Sequence, residues 1–297
     1  MTTAADKRRV LREGMAGDRA LVAIGAHDAL TAHLVARRGF DAVWVSGLAV
    51  ATVVHAIPDI NLTTLTETLE AAIRIDRATD LPVIADCDNG FGALNNVVRT
   101  VREFDAAGIA AVSIEDNLFP KKNSLMGAET KRELIPVDEQ ARRFRAAKDA
   151  QDSDDFVVIA RVESLIAGEG VEMACRRADA YVDAGVDAIL IHSRDKTLGE
   201  IEGFLGAWSG VGKVPLVAVP TLFPTFTDTE LRAKGFNLII LANQPMRAAV
   251  KAVEETLDTL ARERRASAVD PDIASVEHLF ELVGTSEAIA LEDGARR

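Results

Sequence analysis

Cysteine, long apolar runs and excess positive charge are all scarce in this sequence. Only two cysteines, Cys87 and Cys175, occur in 297 residues. They lack metal-ligand spacing and cannot make a disulfide framework, which fits a reducing, cytoplasmic compartment. No apolar run approaches a membrane span, and the N-terminal stretch MTTAADKRRVLREGMAGDRA has basic residues without the apolar core of a signal peptide. The 34 Lys and Arg against 46 Asp and Glu leave a net charge of -12. That balance argues against a broad phosphate-backbone footprint, and so against nucleic acid as a partner. The G-x-G-x-x-G turn of an open dinucleotide-binding sheet is also missing. A small-molecule ligand is the partner left.

What is present is a repeated corner. RRGFDAVWVSG, AAGIAAVSIED, DAGVDAILIHS and AKGFNLIILAN each read as helix end, glycine, strand and polar tip. Gly39, Gly108, Gly185 and Gly235 stand where a helix stops in the left-handed conformation, and the branched runs after them suit strands buried on both faces. Four further runs, LVAIG from Leu21, PVIAD from Pro82, FVVIAR from Phe156 and VPLVAVP from Val214, bring the strands to eight. Helical period between them begins at Leu62, Val97, Glu172 and Thr227. The expected fold is α/β, a (β/α)8 TIM-type barrel forming a single domain over residues 1–297. Residues 245–297 form a C-terminal helical extension in this reading: a long helix from Pro245, then the short amphipathic piece SVEHLFELVG.

In such a barrel the chemistry sits at the C-terminal strand ends. Read in order, the tips are Ser46 and Gly47, Asp86 and Asp88, Glu115 and Asp116, Arg161 and Glu163, His192 and Ser193, Thr221, and Asn243. All are expected at one mouth. Asp86 and Asp88 lie two apart, which on an extended chain aims both the same way, and Glu115 comes from the next strand. An isolated D-x-D is commonly a solvated turn. Beside Glu115 at a barrel mouth, three carboxylates call for a divalent cation that removes their mutual repulsion, and oxygen-only ligands favour Mg2+, or Mn2+, over zinc. Arg161 and His192 are the anion contacts opposite that metal, though Arg161 could also pair with Glu163. Backbone amides in a turn at Ser46, Gly47 and Leu48 can cradle an anion. The segment from Asp116 to Leu134 is long for a βα loop. Rooted on Glu115, it reads as a lid that brings Lys121 and Asn123 over the metal.

Taken together, WVSGLAVA, ADCDNGFG, IEDNLFPKKNS, ARVESLIAGEG, ILIHSRDKT, VPT and ANQPMRAAV resemble phosphoenolpyruvate mutase and phosphonopyruvate hydrolase of the isocitrate lyase superfamily. The resemblance runs through nearly the whole chain. It implies that Asp86, Asp88, Glu115 and Asp59, the last within PDIN, form a magnesium shell directly or through water. It also implies that Ser46, Gly47, Leu48, Arg161 and His192 hold the substrate, with Asn123 near a phosphoryl group and Lys121 in a gating loop. A homotetramer with C-terminal helices exchanged between subunits is the implied assembly. Three features depart from the mutase pattern: Asn117 takes a lysine position, and Phe91 and Ala93 replace Tyr and Asn. KKNS stands where carbon–carbon lyases carry a cysteine-bearing signature, which lowers the expectation of C–C cleavage.

The leading expectation is a phosphonomutase interconverting phosphoenolpyruvate and phosphonopyruvate. Phosphonopyruvate hydrolysis is the first alternative, and a C–C lyase of a 2-oxo or 2-hydroxy dicarboxylic acid the second. A non-catalytic barrel would fit the fold, but the intact set Asp86, Asp88, Glu115, Arg161 and His192 counts against it.

Overall fold

The computed structural model describes residues 2–127 and 129–295. Its eight strands are β1 (Leu21–Ala26), β2 (Ala42–Val45), β3 (Val83–Asp86), β4 (Ala111–Glu115), β5 (Val157–Val162), β6 (Ala188–Ile191), β7 (Leu216–Ala218) and β8 (Leu238–Leu241). They are parallel, pair in chain order and close with β8 against β1, as the repeated corner requires. Gly39, Gly108, Gly185 and Gly235 have φ of 74°, 87°, 106° for the last and 96° for Gly185. A side chain at these turns would be strained, so the glycines set where each helix hands over to its strand. Closure makes its own demand at Gly25, where an added Cβ would lie 2.0 Å from the carbonyl oxygen of Ala242.

Alternate strand residues divide into two apolar clusters. Trp44, Ile84, Val157, Ile159, Leu190, Val217 and Ile240 form the barrel interior. Val43, Val45, Val83, Val112, Ile114 and Val158 pack outward with Phe104, Phe144 and Tyr181 of the surrounding helices. This is the period-two division of a sheet buried on both faces.

The helices begin close to where the sequence places them. Leu65–Arg77 starts three residues after Leu62, because Thr64 and Glu67 form a reciprocal capping box. Leu94–Ala106, Gly170–Asp183 and Asp228–Ala233 follow their expected periods. The N-terminal helix was not anticipated. Ala4–Ala16 is a helix capped by Thr3, and its Leu11 and Met15 join the interior cluster. Its buried Arg8 donates to the carbonyl oxygens of Asp105 at 2.6 Å and Ile109 at 3.1 Å.

Contacts divide the chain between Met246 and Arg247 into two compact units. The second contains most of the helix Gln244–Glu263, the helix Val276–Leu282 capped by Ser275, and the helix Thr285–Ala295, which the sequence reading did not foresee. Among the described residues, no helix is long and apolar enough to cross a membrane.

Candidate active site

The C-terminal strand ends surround a small cavity. Ser46, Leu48, Asp59, Asp86, Glu115, Lys121, Asn123, Arg161 and His192 line it, with Thr221 and Asn243 on the opposite wall. Trp44, Val219 and Ala242 belong to the interior cluster and form the floor. Register explains the central pairing: Glu115 and Arg161 are partners across β4 and β5, so their side chains leave the sheet together. Arg161 Nε lies 3.5 Å from Glu115 Oε2.

Asp86 and Asp88 do converge, by a different route from the one the spacing suggests. β3 ends at Asp86, and Asp88 has φ of 49°, so a left-handed turn rather than an extended strand aims its carboxylate. Gly47 fits against both. A Cβ there would lie 3.2 Å from Asp86 Oδ2 and 3.3 Å from Asp88 Oδ1. Cys87, between them, points into the outer core instead. Ser46 is less a loose turn residue than a helix cap, its hydroxyl accepting from the amide of Ala49 at 3.3 Å at the start of the helix Gly47–Ala49.

The loop after β4 lies over this mouth. Lys121 is only 5% exposed, and its ammonium is 2.8 Å from Asp59 Oδ1 and also paired with Asp88. Asn123 Nδ2 donates to Asp59 Oδ2 at 2.5 Å, while its Oδ1 accepts from the amide of Leu125 at 2.9 Å. Both amide ends of Asn123 are thereby held. Asn61 ties the loop down from below, accepting from the amide of Lys121 at 2.5 Å and donating to Asp88 Oδ2 at 3.1 Å. Asn117, at the position of the mutase lysine, donates to Glu115 Oε1 at 3.0 Å.

Arg161 both pairs structurally and faces the cavity. Its Nε donates to Glu163 Oε1 at 2.5 Å, and its Nη2 donates to Ser124 Oγ at 2.8 Å and lies 3.1 Å from His192 Nδ1. Glu163 is the hub of this cluster, also 3.0 Å from His192 Nδ1 and accepting from Ser124 at 2.8 Å. Burial works to raise the Glu163 carboxyl, but Arg161 and His192 outweigh it and hold it well below the usual range. Burial pushes His192 down toward the neutral imidazole.

Two of the expected tips turn away. Asp116 Oδ2 accepts from the Tyr181 hydroxyl at 2.8 Å, outside the barrel wall, and Ser193 donates to Glu200 at 2.5 Å. A strand alternates its faces, so the neighbours of Glu115 and His192 point toward the helix layer. Ser124 and Asn61 were not singled out from the sequence, and Glu163 was read only as a strand tip and a structural partner of Arg161. All three stand in the motifs that carry the resemblance, Ser124 next to Asn123, Asn61 two residues from Asp59 and Glu163 two residues from Arg161.

The donor set suits a hard divalent cation in chemistry. Asp59, Asp86, Asp88 and Glu115 are buried carboxylates with no thiolate or imidazole between them. Burial raises the Asp88 carboxyl, with Lys121 offsetting only part of this, and raises Glu115 against the pull of Arg161. Added positive charge would relieve both. Among the described residues no three His, Cys, Asp or Glu side chains form a ready-made metal cage; the Lys121 ammonium lies against Asp59 and Asp88.

A closed parallel barrel with a carboxylate-rich cavity under a βα loop defines the class of a (β/α)8-barrel protein with its site at the strand ends. The sequence matches the family model for phosphoenolpyruvate phosphomutase over residues 11–261. It is 40% identical over 287 residues to a phosphonopyruvate hydrolase of Variovorax sp. (strain Pal2), covering 96% of this chain and 98% of that one. The crystal structure of a phosphoenolpyruvate phosphomutase from Streptomyces platensis subsp. rosaceus is similar at 40% identity with a TM-score of 0.93, covering 98% of this chain and 99% of that one. A phosphonopyruvate hydrolase solved in complex with oxalate and Mg2+ has 39% identity and a TM-score of 0.89, with 99% of each chain covered. The chain belongs to the phosphoenolpyruvate mutase/phosphonopyruvate hydrolase branch of the isocitrate lyase superfamily, and is an enzyme of that family.

Proposed function

We propose that the protein is a phosphonomutase interconverting phosphonopyruvate and phosphoenolpyruvate. The observation that carries this reading is the Asn123 amide, which lines the cavity with both ends engaged inside a loop whose Lys121 is buried in the mouth. A phosphoryl group between donors is open to any nearby nucleophile, so intramolecular transfer requires that water be kept out.

Asp86, Asp88 and Glu115 would hold Mg2+ or Mn2+, with Asp59 in the same shell directly or through water. When bound, the ion supplies Lewis-acid stabilisation of negative charge on the three-carbon oxo acid. Ser46, Gly47 and Leu48 would bind its carboxylate end. Arg161, His192 and Asn123 face the other end and would stabilise the phosphoryl group in a loose transition state. The C–P bond breaks with its electron pair left on pyruvate as the enolate, and the enolate oxygen then forms the new P–O bond. No covalent protein nucleophile is needed. Lys121 closes the loop and balances charge at Asp59 and Asp88.

Hydrolysis to pyruvate and phosphate is the second reading, favoured by the Variovorax relative and by Asn117 at the mutase lysine position. There water takes the place of the enolate oxygen. Phosphorus NMR of protein, Mg2+ and phosphonopyruvate separates the two. We expect mainly phosphoenolpyruvate, and expect Asn123→Ala to lower that rate about tenfold or more while raising the share of inorganic phosphate. Phosphate without detectable phosphoenolpyruvate from the wild type would replace the mutase with the hydrolase. In either case the second unit is read as a helical extension of the barrel enzyme that assembles it into a homotetramer.

A further inference from the structure

Behind the mouth, on the helix side of the barrel wall, lies a buried charged cluster that the reaction does not consume. Asp116 and Tyr181 are fully buried and Arg177 is nearly so. The Tyr181 hydroxyl donates to Asp116 Oδ2 at 2.8 Å, and Arg177 Nη1 reaches the same oxygen at 3.3 Å and the tyrosine oxygen at 3.0 Å. Such a cluster is seldom the most stabilising filling for a core, because desolvation offsets much of the attraction between its charges. Its connections point to another use.

We propose that Tyr181 and Arg177, on the helix Gly170–Asp183, are positioning residues that hold the two roots of the loop over the mouth and, through Asp116, align the pair Arg161 and His192. The inference rests on the phosphoryl-transfer reading of the site. Asp116 is the first root of the loop, and its carbonyl accepts from the amide of Ile135, the second root, at 2.8 Å. Arg177 Nη1 donates to the carbonyl of that same Ile135 at 2.8 Å. One guanidinium therefore grips both ends of the loop. Glu169 anchors it from outside, accepting from Nε at 3.0 Å and Nη2 at 3.2 Å.

The other oxygen of Asp116 looks inward. Oδ1 accepts from the backbone amide of Glu163 at 2.9 Å. Glu163 in turn is the hub that contacts Arg161, His192 and the loop's Ser124. A rigid Asp116 thus fixes the peptide whose side chain aims both phosphoryl contacts, and also fixes the span of the loop that excludes water. Loosening Asp116 disturbs both at once. Sequence spacing had no means of showing this, because Tyr181 lies 65 residues from Asp116.

The test is Tyr181→Phe, which keeps ring volume and removes one hydrogen bond, paired with Phe144→Leu. Phe144 packs on the Tyr181 ring, centroids 4.9 Å apart, without sharing its hydroxyl. For each protein, kcat and KM for phosphonopyruvate, the ratio of phosphoenolpyruvate to phosphate by phosphorus NMR, and the thermal midpoint are measured. Tyr181→Phe should lower kcat about tenfold with KM within about twofold, and raise the phosphate share. Phe144→Leu should lower the thermal midpoint and leave the product ratio at its wild-type value. Wild-type kcat and product ratio in Tyr181→Phe would overturn the inference, as would an equal shift of the ratio in Phe144→Leu, which would assign the effect to general loosening. If the wild type makes phosphate alone, the mutase reading fails. The inference then stands or falls on the fall in kcat at constant KM in Tyr181→Phe.

Discussion

Asp59, Asp86, Asp88, Glu115 and Glu163 crowd around Lys121, Arg161 and the neutral-leaning His192, so negative charge outweighs positive in a buried space. Such an excess is costly without a cation, and the cost identifies which side chains are expendable for folding but not for turnover. Asp86 is the clearest case, since it lines the cavity and, among the described residues, no Lys, Arg or His forms an ion pair with it. Asp86→Ala should therefore leave a folded protein, by circular dichroism and thermal unfolding, while turnover with Mg2+ falls by about two to three orders of magnitude. Substantial activity of the variant in the presence of chelator would sink the metal assignment. At this scale the sequence named most of the lining, because polar residues at strand tips are few and stand out against apolar strands. It misjudged Asp116 and Ser193, since the face a tip residue takes depends on where its strand's alternation begins.

The N-terminal helix Ala4–Ala16 shows what a single element adds. Its Leu11 is fully buried in the barrel interior beside Met15, although the stretch around them is dense with charge. Lys7 and Arg8 are buried as well, because each spends its donors on helix-end and loop carbonyls: Lys7 on Asp76 and Thr79, Arg8 on Asp105 and Ile109. Leu11→Ala should cost about 2–5 kcal/mol of stability in denaturant unfolding, since it leaves a cavity under the strands. KM for phosphonopyruvate should not change. A variant with wild-type stability would show that the helix is not part of the core. The reading of this stretch as a merely basic N-terminus missed the helix because its large apolar positions are only Val10, Leu11 and Met15, too few to announce a period.

Assembly belongs to the whole molecule. In the chain taken alone, the second unit exposes Val253, Leu257, Val276, Phe280, Val283, Ile289 and Leu291. That much apolar surface in one small unit is what a subunit interface covers. Removing everything after Ala268 should convert the expected homotetramer to smaller species in sedimentation velocity. A clean monomer for the full-length protein would show the assembly reading to be wrong.

The amino-acid sequence by itself determined the barrel. Eight buried strands, four of them introduced by glycines that end a helix in the left-handed conformation, leave few ways to pair except in order, and a parallel barrel puts their polar tips at one end. It also determined the inventory of Asp86, Glu115, Arg161 and His192, which sit at fixed offsets from those strands. Tertiary structure alone decided how the inventory is wired. The Lys121 ammonium between Asp59 and Asp88, the hub at Glu163 and the clamp from Tyr181 to Asp116 all join residues from different βα units. Their geometry follows from strand register and helix packing, which no local pattern encodes.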